Sequence, residues 1–231
     1  MALTVTEVGD LPTVLAPTPH LPYEAADSAA EFDRQVSVYE ALGAADLLET
    51  TGALAERVAP LRALATGTAP GPGAEDRDDG ADLVLVLPAL DPNDLAPAMR
   101  RGDRRGVSVI GCEEMATYTP IDGVEVPATP YLLTGIDVGS DFRDVRPQDA
   151  LVTIRERGRT GLTLAEGVAL AVVRPDLLRP NRCWSLLASR AGNQRVPAVW
   201  ISERRAKLGW CWDGNPHTWL GAASAGGRVT A

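Results

Sequence analysis

Residues 66–80, TGTAPGPGAEDRDDG, hold no apolar side chain large enough to anchor in a core, and Asp82-Leu-Val-Leu-Val-Leu87, an unbroken apolar run, follows almost at once. Glycine, proline and acids in such density make a linker, whereas a continuous apolar run closed by Pro88 is the pattern of a strand covered on both faces. The chain is therefore expected to divide into a mostly helical arm (1–65), a flexible linker (66–80) and a folded region (81–231).

Before the linker the pattern is helical. Residues 1–26 are proline-rich, lack a sustained period, and carry His20, for which nothing nearby offers a partner. Ser28-Ala-Ala-Glu31 has the spacing of a capping box, and Phe32, Val36, Tyr39 and Leu42 fall on one helical face that Gly43 closes. A second helical stretch over 44–65 is interrupted near Thr50-Thr51-Gly52 and bent or ended by Pro60. Beyond the linker, Asp91-Pro92 starts a short helix. Val107–Ile110 and Tyr131–Val138 read as strands, with Val124–Val126 as an edge piece between them. Pro147 opens a helix that Gly158 stops, and Thr163-Leu-Ala-Glu166 caps another that Pro175 ends. Strands and helices mix without a regular βαβ repeat. The expected class is α+β, a mixed or antiparallel sheet with packed helices and a helical N-terminal arm.

Charge and cysteine content remove several classes of function. Residues 1–80 carry 14 acids against 4 bases, 81–180 carry 15 against 11, and 181–231 carry 2 against 7, so an acidic body of net charge −9 ends in a positive third. That balance argues against nucleic acid, although it could steer a small anion to the C-terminal region or dock that region on the chain's own acidic part. Three cysteines suit a reducing cytoplasm, and no C-x-x-C pair among them signals a structural metal site. The first residues, MALTVTEVGDLP, carry acids where a signal peptide needs a basic region, and no apolar run is long enough for a membrane span, so an untargeted chain is expected. No cofactor fingerprint, phosphate loop or serine-hydrolase elbow appears.

All five tryptophans fall between residues 184 and 219, with Cys183, Cys211 and His217. Val196–Ile201 and Lys207–Trp212 read as a hairpin around a five-residue loop, Ser202–Ala206, centred on Arg204. In that register Trp200, Trp210 and Trp212 share one face and Cys211 points to the other, so most of the cluster is architecture. The Asp213–Trp219 loop leaving the hairpin is the functional candidate. His217 stands at its centre as an acid, base or ligand donor, with Asp213 as a catalytic companion; alternatively Asn215 and His217 hold the loop's shape. Cys211 is either a core thiol, a nucleophile activated by His217, or a metal ligand. Arg190 and Arg228 flank glycines and are candidates for binding an anion, with Trp212, Asn215 and Trp219 completing a ligand site.

The strings TPIDGVEVP (119–127), PYLL (130–133), LTLAEGVAL (162–170), CWSLLASR (183–190), VPAVWIS (196–202) and LGWCWDGNPHTWLGAASAGGR (208–228) resemble an uncharacterised actinobacterial family of unknown function. The resemblance spans about residues 82–228 and implies no activity, substrate or cofactor. Two functions remain open. One is a cytoplasmic protein binding a small anionic or aromatic ligand in a tryptophan-lined pocket, with or without catalysis by His217. The other is a non-catalytic interaction module that contacts a partner, or a second copy in a homo-oligomer, through its N-terminal helices.

Overall fold

The computed structural model describes residues 27–48, 53–67 and 79–231. The proline-rich start, the interruption near 50–52 and most of the 66–80 linker lie outside them. In chain order the elements are α1 (Ser28–Ala41), α2 (Ala44–Leu47), α3 (Leu54–Ala65), β1 (Gly80–Val86), α4 (Pro92–Leu95), β2 (Val107–Ser108), α5 (Cys112–Met115), β3 (Thr119–Pro120) and β4 (Tyr131–Asp137). They continue with α6 (Pro147–Glu156), β5 (Thr160–Gly161), α7 (Leu164–Val173), β6 (Cys183–Ser185), β7 (Ser189–Arg190), β8 (Arg195–Ser202), β9 (Arg205–Trp212), β10 (Leu220–Ala222), β11 (Ser224–Ala225) and β12 (Gly227–Val229). The class is α+β, as the sequence implies.

One sheet is antiparallel, ordered β1-β4-β11-β5, with β12 also on β4. A second is mixed, ordered β10-β6-β8-β9-β2, with β10 parallel to β6 and β2 parallel to β9. The short pair β3–β7 stands apart, and it replaces the edge piece expected at Val124–Val126, which is loop.

Helix α1 closes the free edge of β1. Its Phe32, Val36, Tyr39 and Leu42 are buried, as their spacing requires. Gln35 donates to Leu83 O at 3.0 Å and accepts from the Leu85 amide at 2.7 Å, and the Tyr39 hydroxyl donates to Leu85 O at 3.0 Å. These bonds satisfy strand groups that an uncovered edge would offer to another chain.

One helix-end expectation is corrected and another is narrowed. Asp27, not Ser28, caps α1, accepting from the Ala30 amide at 2.8 Å. Glu31 does not reach back to the cap because Arg34 and Gln35 hold its carboxylate. Pro60 does not end α3, which runs on to Ala65. Burial of Leu54, Val58, Leu61 and Ala65 on one face outweighs the single helical hydrogen bond that proline forfeits.

The capping box of α7 forms as its sequence predicts and becomes the hub of a buried network. The fully buried Glu166 accepts from the Thr163 amide (2.7 Å), the Tyr131 hydroxyl (2.8 Å) and the Arg228 guanidinium (2.6 and 2.8 Å). This cluster ties α7 to β4 and to the C-terminal strand β12.

The glycine-rich tail crosses from one sheet to the other as β10, β11 and β12. Gly139 and Gly221 let two backbones touch there: a Cβ at Gly139 would overlap Ala222 O, and one at Gly221 would overlap Gly139 O. Because β10 is locked in this way, the loop before it is fixed at both ends.

Candidate functional site: a tryptophan-walled cleft

The hairpin is tighter than its sequence suggests, and that divides the indoles differently. Only Glu203 and Arg204 form the turn, both left-handed at φ 53° and 62°, the geometry of a two-residue type I′ turn. Ser202 therefore pairs with Arg205, Trp200 with Lys207, Ala198 with Gly209, Pro197 with Trp210 and Arg195 with Trp212. A slip of one residue transfers a strand's partners to the other face. Trp200 thus shares its face with Ala198, Gly209 and Cys211, while Trp210 and Trp212 stand on the opposite one. The expectation of three indoles on one face with Cys211 behind them is corrected. Trp184, on β6, is fully buried and belongs to the core.

Strand β2 pairs with β9 only at Lys207 and Leu208, so the end of β9 lies at a sheet edge, where side chains from both faces border one space. That space is a cleft of about 260 Å³ lined by Ala198, Trp200, Trp210, Cys211, Trp212, His217 and Trp219. The small residues Ala198 and Cys211 leave the room, and indoles wall it. Trp200 lies across Gly209, where a Cβ would overlap the indole. Its ring centroid is 6.3 Å from that of Trp219, at an interplanar angle of 57°. His217 packs on Trp219 at 5.3 Å, and Trp210 meets Trp212 edge-on at 5.1 Å. The Arg195 guanidinium sits 4.0 Å from the Trp210 centroid and is paired with Glu114 at 2.6 Å.

The loop that presents His217 is pinned by its backbone. The Asp213 amide donates to Gln194 O (2.9 Å), Asp213 O accepts from the Gln148 amide (3.3 Å), the Asn215 amide donates to Trp212 O (3.1 Å), and His217 O accepts from the Asp144 amide (2.9 Å). His217 is half-buried, and its Nε2 is buried without a hydrogen-bond partner. Burial pushes its pKa below the ordinary 6.5, so the imidazole is neutral at pH 7. Burial also raises the Cys211 thiol to about 12, and no hydrogen bond joins it to His217. Cys211 is thus a buried thiol rather than a thiolate.

The charged candidates are committed elsewhere. Asp213 is held by Arg190 at 3.0 Å, and Arg190 also donates to Leu187 O and Ser189 O. Arg228 is bound to Glu166 in the α7 cap network and does not line the cleft. Asn215 is exposed and outside it. The structure brings together Trp212, His217 and Trp219 from the expected site and adds Trp200, Trp210, Ala198 and Cys211. Among the described residues, no group of three or more histidines, cysteines and carboxylates is placed to hold a metal ion, and no helix is long and apolar enough to cross a membrane.

The chain belongs to a family of unknown function, DUF5701, whose model matches residues 39–231. No curated protein and no solved structure matches it.

Proposed function

We propose that this protein binds a small organic molecule in the cleft formed by β8, β9 and the Asp213–Trp219 loop. The observation that carries the proposal is the convergence of four indoles and one imidazole, drawn from both faces of a hairpin and from a separate loop, on a single space. Tryptophans recruited only for packing would be covered, as Trp184 is, whereas Trp212 remains 43% exposed at the rim. Within this reading the neutral imidazole of His217 is the lining group that would accept a proton, and it would carry any acid–base chemistry. A reducing cytoplasm belongs to the same reading, in keeping with three free thiols.

The alternative, an interaction module working through the N-terminal helices, has less support. The apolar face of α1 that would meet a partner is already buried within the chain, with Gln35 and Tyr39 bonded to β1. A panel of metabolites tested by thermal shift separates the two. Stabilisation that is lost in Trp219→Ala and weakened in His217→Ala supports the cleft; an unresponsive panel, or responses unchanged in both variants, removes it.

A further inference from the structure

We infer that the cleft selects uncharged aromatic rings, of one or two fused cycles, over carboxylates, phosphates and ammonium ions. The inference rests on the small-molecule reading above and narrows it to a ligand class.

No ionised side chain lines the cleft. Two guanidinium groups that neighbour lining residues are already paired, Arg190 with Asp213 at 3.0 Å and Arg195 with Glu114 at 2.6 Å. An anion entering the cleft would lose its hydration without gaining a counter-ion, and an uncompensated buried charge is strongly disfavoured. Ring faces do attract cations, but Arg195 already occupies that role, at 4.0 Å from Trp210 and 5.8 Å from Trp212. The face of Trp210 is therefore already covered and is not open to a second cation. The depressed proton affinity of His217 points the same way, since burial there disfavours positive charge.

The shape selects a flat ligand. The Trp200 and Trp219 planes open at 57° and the Trp210 and Trp212 planes at 67°, so an inserted ring can lie offset along one indole and present its edge to another. The floor is kept low by Ala198 and Cys211. A volume of about 260 Å³ exceeds the roughly 150 Å³ of a cavity that holds benzene and falls below the ~300 Å³ where drug-sized pockets begin. One or two fused rings fit that interval.

The test is calorimetric titration of the full chain with three probes on one ring system: 3-methylindole, indole-3-carboxylate and 3-(aminomethyl)indole. The expected result is binding of 3-methylindole at least tenfold tighter than of either charged analogue. Ala198→Leu, which fills the floor, should abolish that binding, and Trp212→Ala, which removes an exposed rim residue, should weaken it several-fold with the melting temperature unchanged. Equal or tighter binding of a charged analogue, abolished in the same way by Ala198→Leu, overturns the ligand class and leaves the cleft as a binding site. Absence of binding by all three probes also overturns the class, and the cleft itself fails if Ala198→Leu leaves every response of the metabolite panel unchanged.

Discussion

Replacing Arg228 by methionine should strip the paired cation from a carboxylate that cannot reach water. Glu166 is fully buried, and of the four hydrogen bonds that it accepts, two come from the Arg228 guanidinium, at 2.6 and 2.8 Å. Burial opposes the charge of Arg228, yet its pairing with Glu166 outweighs that and raises its pKa above the ordinary value. Removing one partner of a buried pair costs about 3–5 kcal/mol, because the remaining charge is left uncompensated. The Thr163 amide and Tyr131 hydroxyl still serve the carboxylate, which favours the lower end of that range. For a chain of this size each kcal/mol lowers the melting temperature by about 2–4 °C, so a fall of roughly 6–20 °C is expected. Glu166→Gln combined with Arg228→Met removes both charges and should recover a large part of the loss. Scanning calorimetry on the two single variants and the double variant reads this directly. A fall of less than about 3 °C in Arg228→Met, or a double variant no more stable than the worse single one, would show that the network is not the clasp described.

Gln35→Ala should leave Leu83 O and the Leu85 amide buried and unpaired at the edge of β1, at about 1–3 kcal/mol for each group; urea titration gives the loss, and light scattering should show edge-driven association. With a disulfide reagent at pH 8, the native protein should expose one fast thiol, the exposed Cys112, while Cys183 and Cys211 react only on unfolding, since burial raises both; a second fast thiol would contradict the burial of Cys211. His217 has a folded pKa below its unfolded value of about 6.5, so the native state binds fewer protons between the two. Its contribution to stability is complete above that unfolded value and is lost as pH falls through the depressed one. The difference in melting temperature between wild type and His217→Gln should shrink as pH falls through this window, and a difference independent of pH would refute the assignment.

What the sequence revealed depended on how local the determining interaction is. The Thr163–Glu166 box, the Asp91-Pro92 helix start and the Phe32–Leu42 stripe are set within a few residues, and all three appear as expected. The Ser28–Glu31 box has the same local signature but yields to Arg34 and Gln35, which hold the glutamate. The hairpin register differs by one residue from the pattern's reading because Glu203 and Arg204 adopt left-handed backbone without the asparagine or glycine that usually signals such a turn. Strands β10–β12 carry little sequence signal because glycine, alanine and serine have little strand propensity; what fixes them is close backbone approach at Gly139 and Gly221. At the site, Trp212, Trp219 and His217 were legible from composition and loop position. Arg190 and Arg228 were not placed correctly, because their partners Asp213 and Glu166 lie 23 and 62 residues away in sequence.

The central claim, that Trp200, Trp210, Trp212 and Trp219 wall one ligand cleft, is tested most directly by following the five indole N–H resonances while an uncharged ring compound such as 3-methylindole is added. Assignment by single tryptophan-to-phenylalanine substitutions makes Trp184 an internal control, since it is fully buried in the core. The expected result is saturable shifts at the four cleft indoles with Trp184 unmoved. Shifts spread equally over all five, or confined to Trp212 at the exposed rim, would contradict the cleft.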